Sequence, residues 1–306
     1  MAISNPITGQ GIVDRFEQLV TDVANTGIVW GVSNLPFTEM PTSNYSLEST
    51  ILGQQNLTNA GSITTTVPTG ANALHIIAAV GGGSGGVTGA QYDKAGGESA
   101  GAGGASGGYI SDKVFSVTAG ETLTLVVGAG GAAGSGSYNS TAGNGGNTTA
   151  SGSTTGSIFT LTGGTGGSGT GGSVFGPLRT NTASVAGTAT ISATALTSAT
   201  FVETDGSTVN ISSLNGGPVG TFNSHGSGAA GTNPGNCGTD NCLLNGGVGG
   251  ASYNGTIAGG TAGVAATSNG GNGTRGSGGG GGGAEGVTGG GTGGTGEIRY
   301  RFLAVS

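Results

Sequence analysis

Runs of glycine recur along this chain and limit the folds that it can adopt. Glycine accounts for 74 of the 306 residues. Ordering a glycine costs about 0.5–1 kcal/mol more than ordering an alanine in a regular element, so ordered runs need backbone hydrogen bonds, close packing or assembly to offset that cost. The densest runs are Gly81–Gly86, Gly103–Gly108, Gly128–Gly134, Gly163–Gly172 and Gly278–Gly283.

Collagen does not account for these runs, and a flexible linker does not describe the whole chain. Collagen requires glycine at every third position together with abundant proline, whereas this chain has 7 prolines and the triplet series that starts at Gly280 breaks at Thr292. Disordered chains usually combine high net charge with low hydrophobicity, and charged residues make up only 7% here. The runs are therefore predicted to be loops inserted in a β scaffold. These loops are either mostly ordered or partly mobile, and we favour the ordered alternative.

Between the glycine runs, apolar and polar residues alternate as they do in half-buried β-strands. Short turns such as Pro68–Ala71 and Thr118–Glu121 join these strands in pairs, and glycine runs follow at the opposite end. The pattern predicts a mainly β fold, an antiparallel β-sandwich with long glycine-rich loops at one pole. The predicted strands are Ser62–Val67, Ala73–Val80, Tyr109–Val117, Thr122–Val127, Asn147–Ser151, Ser157–Thr162, Val185–Val202, Thr208–Ser212 and Glu297–Val305.

Many of the glycine loops contain Gly-Gly-x triplets. Such triplets can adopt an extended polyproline-II-like helix with three residues per turn and a rise of about 3.1 Å per residue. Because glycine has no side chain, backbones of this kind can approach closely and hydrogen-bond to one another. We therefore hypothesise polyglycine-II-like packing of the loops, which an experimental map showing them as unordered coil would contradict.

Residues 1–59 differ from the glycine-rich β domain predicted for residues 60–306, because glycine is ordinary there and the single Trp and both Met fall within them. Gly11–Asn25 is predicted to form a short amphipathic helix. A helix of about 15 residues is marginal alone and needs a surface to cover. It either caps the β domain or serves for attachment and oligomerisation, and we favour attachment. The residues predicted to form the attachment interface are Ile12, Phe16, Leu19, Val20, Val23 and Trp30.

The charge of the chain argues against two classes of partner. The net charge is −7 and the sequence pI is about 4.5, which disfavours nucleic acid and anionic membrane surfaces. No apolar run reaches the length of about 18 residues that a transmembrane helix needs, so we expect no membrane insertion. The N-terminus lacks the basic and apolar regions of a signal peptide, which predicts a protein made in a cytoplasm.

Ionisable side chains are too sparse to suggest a reaction. Between residues 128 and 296 the only basic side chains are Arg179 and Arg275. His75 lies in a strand-like run and is interpreted as a half-buried strand residue. Residues 81–86 are not a phosphate-binding loop, since no helix pattern and no Gly-Lys-Ser/Thr follows them. We therefore expect that the protein is not an enzyme and that it has no catalytic residues, no cofactor and no metal site.

Two small groups of residues allow alternative interpretations. Cys237 and Cys242 are too few for a zinc site; a local disulfide formed in an oxidising medium is favoured over free thiols or an intermolecular disulfide. Aromatic residues in or near the loops are suited to contact sugars or proteins, but they can equally anchor the loops to the domain. These candidate surface-binding aromatics are Tyr92, Tyr138, Phe175 and Tyr253.

A set of short motifs is spread over about half of the chain, chiefly residues 61–172 together with the C-terminal end. They are Thr66–Gly70, Ile76–Gly83, Gly107–Tyr109, Phe115–Leu123, Val126–Gly131, Gly143–Asn147 and, at the end of the chain, Ile298–Tyr300. This pattern resembles the glycine-rich domain of bacteriophage tail-fibre and other virion appendage proteins, which are adhesin-like. The resemblance brings no catalytic residues.

The resemblance implies a structural protein of a bacteriophage virion, made in the host cytoplasm. It implies a tail or neck fibre subunit that is attached through residues 1–59 and displays residues 60–306. The implied partners are other virion proteins of the tail, neck or baseplate and further copies of the chain, with a trimer favoured. One alternative is a receptor-binding adhesin at a fibre tip that recognises a host surface glycan or outer-membrane protein. Another alternative is a glycine-rich ice-binding or cell-surface coat protein.

Overall fold

The structure of this chain is a computed structural model. It describes residues 50–89, 100–135, 140–170, 180–203, 206–214, 245–252, 258–263, 268–283 and 288–306. All of these residues belong to one compact unit, Ser49–Ser306. The predicted helix Gly11–Asn25 and the attachment interface lie outside the described residues, so both stay predictions, as does the domain boundary at residue 60.

The described residues are mainly antiparallel β-strands, with one helix of 4 residues among them. The elements are β1 (Thr50–Leu57), β2 (Gly61–Thr66), β3 (Ala73–Val80), β4 (Tyr109–Ser116), β5 (Thr122–Val127), β6 (Ser140–Thr141), β7 (Thr148–Gly152), β8 (Gly156–Leu161), β9 (Ser168–Thr170), β10 (Thr180–Thr182), β11 (Ala189–Ile191), β12 (Thr200–Val202), β13 (Thr208–Asn210), α1 (Ile211–Leu214) and β14 (Glu297–Leu303). The mainly β fold predicted from the sequence is therefore confirmed.

A four-stranded antiparallel sheet has the order β1-β14-β3-β4. β3 reads ALHIIAAV and is buried along almost its whole length, because both of its faces are covered. The final strand, β14, lies between β1 and β3. The sequence did not predict β1, whose polar residues give a weak strand signal; its pairing with β14 is a tertiary effect of the kind that overrides propensity.

A five-stranded antiparallel sheet has the order β11-β8-β7-β5-β2. The alternation in β5 works as predicted, since Leu123, Leu125 and Val127 are buried and the residues between them are more exposed. Two smaller groups of strands accompany these sheets, with the orders β10-β9-β6 and β12-β13.

Side chains from both large sheets form one hydrophobic cluster. Phe115 from β4 and Phe159 from β8 approach with their ring centroids 6.5 Å apart. Tyr300 and Phe302 of β14 make an edge-to-face contact at 5.7 Å. Burying a large apolar side chain contributes about 1.5–3 kcal/mol, so this shared cluster is the main source of stability for the two sheets.

The opposite face of the four-stranded sheet is covered by a second cluster. Phe201 of β12 and Ile211 of α1 are buried there against Ala73, Val114 and Leu303. The five-stranded sheet has no comparable cover on its outer face among the residues that the structure describes. The two sheets therefore differ in what their outer faces present.

The pairing of strands through short turns was predicted wrongly in two places. The turn after β2 and the turn after β4 each carry the chain from one large sheet to the other, so neither makes a hairpin. Only β7 and β8 form the expected hairpin. The reason is that alternation gives the buried face of a strand but does not identify its partner.

The long strand predicted over 185–202 is wrong in extent. Only β11 and β12 form within it, and between them Leu196 donates its N–H to the carbonyl oxygen of Val114 at 2.8 Å. The strand predicted over 208–212 ends early for a local reason. The Asn210 side chain accepts a hydrogen bond from the N–H of Ser212 at 3.0 Å, which caps the start of α1.

Candidate functional site

The segment 81–89 donates its backbone N–H groups to three neighbouring segments in turn. Its first, fourth and seventh residues donate to carbonyl groups of 100–108, and its second and fifth donate to those of 143–146. Its third, sixth and ninth residues donate to 288–294. All of these N···O distances lie between 2.8 and 3.0 Å. A polyproline-II helix has three residues per turn and no internal hydrogen bonds. Each turn of such a helix therefore has one donor for each of three neighbours, which is the pattern observed.

The same kind of pairing connects the other glycine segments, both antiparallel and parallel. As a parallel example, Gly279 and Gly282 donate to the carbonyl oxygens of Ser84 and Val87, each at 3.0 Å. We call this set of segments the glycine bundle. It consists of residues 81–89, 100–108, 128–134, 142–147, 162–167, 245–250, 258–263, 268–273, 276–283 and 288–296.

Glycine is required in the bundle because the backbones approach too closely for a side chain. A Cβ atom added at Gly82, Gly83 or Gly85 would lie closer than 3.0 Å to a backbone carbonyl oxygen of the neighbouring segment. Backbone atoms cannot move aside as the end of a flexible side chain can. The glycine runs of this chain are therefore packing residues, and their backbone hydrogen bonds offset the entropy of ordering them.

Two copies of the motif Asn-Gly-Gly-Asn supply side-chain acceptors to the bundle. Asn144 accepts the N–H of Gly166 at 2.8 Å, and Asn147 accepts that of Gly163 at 3.1 Å. The second copy repeats this arrangement: Asn269 accepts the N–H of Gly289 at 2.7 Å and Asn272 that of Thr292 at 2.9 Å. The spacing of three residues places both amides on one side of the extended helix. Sequence reasoning missed this role, although the repeated motif was a visible signal.

One end of the bundle continues into the large sheets. β3 runs directly into 81–89, 100–108 runs into β4, and 288–296 runs into β14. The opposite end, which we call the distal pole, is where Gly89, Ala100, Ser140 and Thr288 lie. Gly89 donates its N–H to the carbonyl oxygen of Thr288 there at 2.9 Å.

Side-chain hydrogen bonds hold the chain ends together at the distal pole. Ser140 accepts the N–H of Thr88 at 3.3 Å, and the hydroxyl of Thr288 donates to the carbonyl oxygen of Gly283 at 2.6 Å. Asn181 donates to the carbonyl oxygen of Ala100 at 2.7 Å. These bonds fix the positions from which the connecting segments leave and to which they return.

The candidate aromatics of the sequence analysis lie outside the described residues. Tyr92, Tyr138 and Phe175 belong to the connections 90–99, 136–139 and 171–179, whose flanking residues are at the distal pole. Tyr253, Cys237 and Cys242 also lie outside the described residues. The anchoring and binding roles of the aromatics, and the redox state of the cysteines, stay predictions.

His75 is more buried than the sequence suggested, with 3% of its surface exposed. Its Nδ1 accepts a hydrogen bond from Nε of Arg301 at 3.1 Å, and its Nε2 lies 3.4 Å from a carboxylate oxygen of Asp112. The guanidinium of Arg301 also donates two bonds to the Glu203 carboxylate, at 2.9 and 2.8 Å, and lies 5.1 Å from the ring centroid of Phe201. This network ties the β12–β13 pair to the four-stranded sheet.

Glu121 is a buried carboxylate that joins two turns. It accepts hydrogen bonds from the N–H groups of Thr118, Thr154 and Thr155 and from the hydroxyl of Thr155, at distances of 2.6 to 3.1 Å. Burial acts to raise the pKa of Glu121, but these hydrogen bonds outweigh it and lower the pKa below its ordinary value. The carboxylate therefore acts as an anchor between the turn before β5 and the β7–β8 turn.

The outer face of the five-stranded sheet carries hydroxyl side chains and no charged side chain, and we call it the hydroxyl face. Residues that alternate with the buried core positions lie on this face, and their cross-strand partners also carry small side chains. Neutral hydroxyl groups both donate and accept hydrogen bonds. The residues of the hydroxyl face are Ser62, Thr64, Thr66, Thr122, Thr124, Val126, Thr149, Ser151, Thr160 and Thr190.

The described residues contain no cluster of three or more His, Cys, Asp or Glu side chains arranged to hold a metal ion. None of the described helical segments is long and apolar enough to cross a membrane. The feature that the geometry does offer is the glycine bundle, with the flanking residues of several chain connections at its distal pole.

Comparison with known protein families also identifies the chain by its glycine content. A family model described as a glycine-rich domain matches residues 58–303. The match begins at the residue after β1 and ends with the last residue of β14, so it takes in the remaining strands of both sheets and the whole glycine bundle. No curated protein matches the sequence.

Proposed function

The chain belongs to this glycine-rich domain family, and from that premise we propose that it is a structural protein of a bacteriophage virion. It is a tail or neck fibre subunit that docks through residues 1–59 and displays residues 60–306. The observation that carries the proposal is the three-way hydrogen bonding of segment 81–89, which makes the glycine runs a stiff support. The resemblance of motifs such as Phe115–Leu123 to virion appendage proteins supplies the setting.

A display role fits the distribution of polar chemistry in the described residues. The ionic groups His75, Arg301, Glu203 and Glu121 hold elements together. The proposed architecture is an antiparallel β-sandwich, supported by the hydrophobic cluster that the two large sheets share. The glycine bundle extends it as a polyglycine-II-like stack. A support of this kind presents loops without needing a large apolar core of its own.

The second candidate function is host recognition by a fibre-tip adhesin. The distal pole favours it, because the connections that contain Tyr92, Tyr138 and Phe175 all leave from and return to this one end. Loops clustered at one end of a rigid scaffold are a common arrangement for binding. Aromatic side chains in such loops would supply contact area to a host glycan or outer-membrane protein.

Deletion of residues 1–40 tests the attachment role. We expect the shortened chain to stay soluble but to be missing from purified particles, because the apolar helix face of the docking segment is lost. Phe16→Glu is expected to act in the same direction, while Gln18→Glu on the polar face is the matched control and should be incorporated normally. Normal incorporation of the deletion variant would contradict the proposal.

Particles that carry substitutions of the loop aromatics distinguish a display role from host recognition. Particles that carry Tyr92→Ala, Tyr138→Ala and Phe175→Ala together should assemble at the wild-type level in either case. If the pole binds the host, their adsorption to host cells should fall at least tenfold, whereas a purely structural subunit would leave adsorption unchanged.

A further inference from the structure

The two large sheets have four edge strands, and three of them carry features that block the addition of another strand. An unprotected edge presents a row of unpaired backbone groups, and natural sheets guard against this with bulges, charges, covering chain or short strands. The edges of the four-stranded sheet are β1 and β4, and those of the five-stranded sheet are β11 and β2. These four edge strands differ in how readily a strand of another chain can pair with them.

Three edges are protected in different ways. β1 is irregular, with two register shifts against β14. β4 carries Asp112 at a φ of 47° beside Lys113, and Leu196 covers part of its edge by donating to Val114. β11 has only 3 residues. Each of these features interrupts the regular row of donors and acceptors that an added strand needs.

β2 has none of these protections among the described residues. Its sequence GSITTT contains no charge and no proline, and it pairs with β5 in unbroken register over all 6 residues. Five of the six residues are exposed, and 44% of the Ile63 surface is accessible. A short neutral strand with high β propensity is the type of segment that pairs with another chain.

The direction of the free backbone groups follows from a hydrogen bond at the end of the strand. Val67 donates its N–H to the carbonyl oxygen of Glu121 at 2.9 Å, so this pair is a hydrogen-bonded one. Bonded and non-bonded pairs alternate along an antiparallel ladder. The backbone groups of Ile63 and Thr65 therefore face β5, and those of Ser62, Thr64 and Thr66 point outwards.

We propose that β2 is a self-association edge that pairs antiparallel with β2 of a second copy of this chain, about a two-fold axis at Thr64. In this register Ser62 faces Thr66 of the second copy, Thr64 faces its equivalent, and three facing pairs give about six hydrogen bonds between chains. A two-fold contact requires a surface that complements itself. β2 meets this requirement, because chains of net charge −7 can meet here without placing like charges opposite one another.

The pairing also covers the exposed apolar side chain of the strand. Ile63 would lie opposite Thr65 of the second copy, in a non-hydrogen-bonded pair where side chains are closest. The two hydroxyl faces would join into one continuous sheet surface, since Ser62, Thr64 and Thr66 belong to both the edge and that face. This inference concerns the chain in solution and does not depend on the proposed virion role.

Light scattering coupled to size exclusion on the full-length chain tests the proposal. The wild type should run at a multiple of the 28.6 kDa chain mass. Thr64→Lys and Thr64→Pro should lower the mass by a factor of two, because one places like charges together and the other removes an outward N–H. Thr190→Lys is the matched control, an exposed threonine on the same face at the opposite edge, and should leave the mass unchanged.

Cysteine crosslinking gives a second measurement that does not rely on a disruptive change. The variant Ile63→Cys with Thr65→Cys, in a background of Cys237→Ser and Cys242→Ser, should form a covalent dimer under mild oxidation. Circular dichroism melting should show that all variants remain folded. A monomeric wild type, an oligomer that Thr64→Lys leaves intact, or failure of the cysteine pair to crosslink would each overturn the proposal. If the chain associated through residues 1–59 alone, Thr64→Lys would leave the oligomer intact.

Discussion

Replacing Gly83 with alanine is expected to destabilise the glycine bundle, because the new methyl group has nowhere to go. A Cβ at this position would lie closer than 3.0 Å to the carbonyl oxygen of Ser277. Gly83 also donates its N–H to Gly294 at 2.9 Å, and Gly131 donates to the carbonyl oxygen of Gly83 at 2.8 Å. Moving segment 81–89 away from the clash therefore weakens hydrogen bonds on two other sides.

The magnitude follows from these two effects. Overpacking a well-packed interior typically costs about 1–3 kcal/mol, and two weakened backbone hydrogen bonds add about 1 kcal/mol each. We therefore expect a loss of about 3–5 kcal/mol in the free energy of unfolding. In a domain of about 250 residues, 1 kcal/mol corresponds to a shift of about 2–4 °C in Tm, so the expected decrease in Tm is about 6–20 °C.

Gly289→Ala provides the matched control within the same bundle. The nearest atom to a Cβ at Gly289 is Oδ1 of Asn269 at 3.5 Å, an ordinary van der Waals contact, and its φ is not positive. Alanine at such a site stabilises by about 0.4–1 kcal/mol through the unfolded state. Differential scanning calorimetry of both variants is the assay. Equal Tm values for Gly83→Ala and Gly289→Ala would refute the packing argument.

Two further changes test the anchors of the fold. The pKa of Glu121 is lowered in the folded state, so the carboxylate contributes its full stabilisation at pH values above its ordinary pKa and loses it as the pH falls below that pKa. Glu121→Gln should therefore lower Tm at pH 7 and make Tm depend less on pH in the acid range. An unchanged dependence of Tm on acid pH would contradict this. Asn272→Ala removes the acceptor for the N–H of Thr292. The loss should lower the free energy of unfolding by about 0.5–1.5 kcal/mol and speed hydrogen exchange of the Thr292 amide. Exchange of the Gly289 amide, which donates to the unchanged Asn269, serves as the internal reference.

The strands with strong alternation were predictable from sequence, and their partners were not. β3 and β5 have the predicted bounds, because continuous apolar or alternating residues specify which faces are buried. The turns after β2 and β4 were also recognisable as turns. Whether such a turn makes a hairpin or crosses between sheets depends on which strand occupies the neighbouring position, and no local signal carries that information.

The ionic network around Arg301 illustrates a second limit. Its charged members come from β3, β4, β14 and the residue that follows β12, and His75 and Arg301, which are separated by more than 200 positions, meet only in the folded chain. From the sequence alone, His75 was an isolated histidine in an apolar strand and its burial was underestimated. Charged partners that neutralise one another across elements cannot be recognised before the strand order is known.

Within the bundle, the residues other than glycine mark the sides of a segment that leave room for a side chain. In 128–134 glycine occupies the buried positions Gly128, Gly131 and Gly134, and Ala129 and Ala132 face outwards. In 278–283 every residue is glycine and every residue is buried. An extended helix with three residues per turn has three sides. A small side chain fits on a side that faces solvent, as at Ala129 and Ala132, or between segments that leave room for it, as at Ala102 and Ala105, which are fully buried. An unbroken glycine run therefore marks a segment with close backbone neighbours on every side, and a run interrupted at every third residue marks a segment with room for a small side chain on one side.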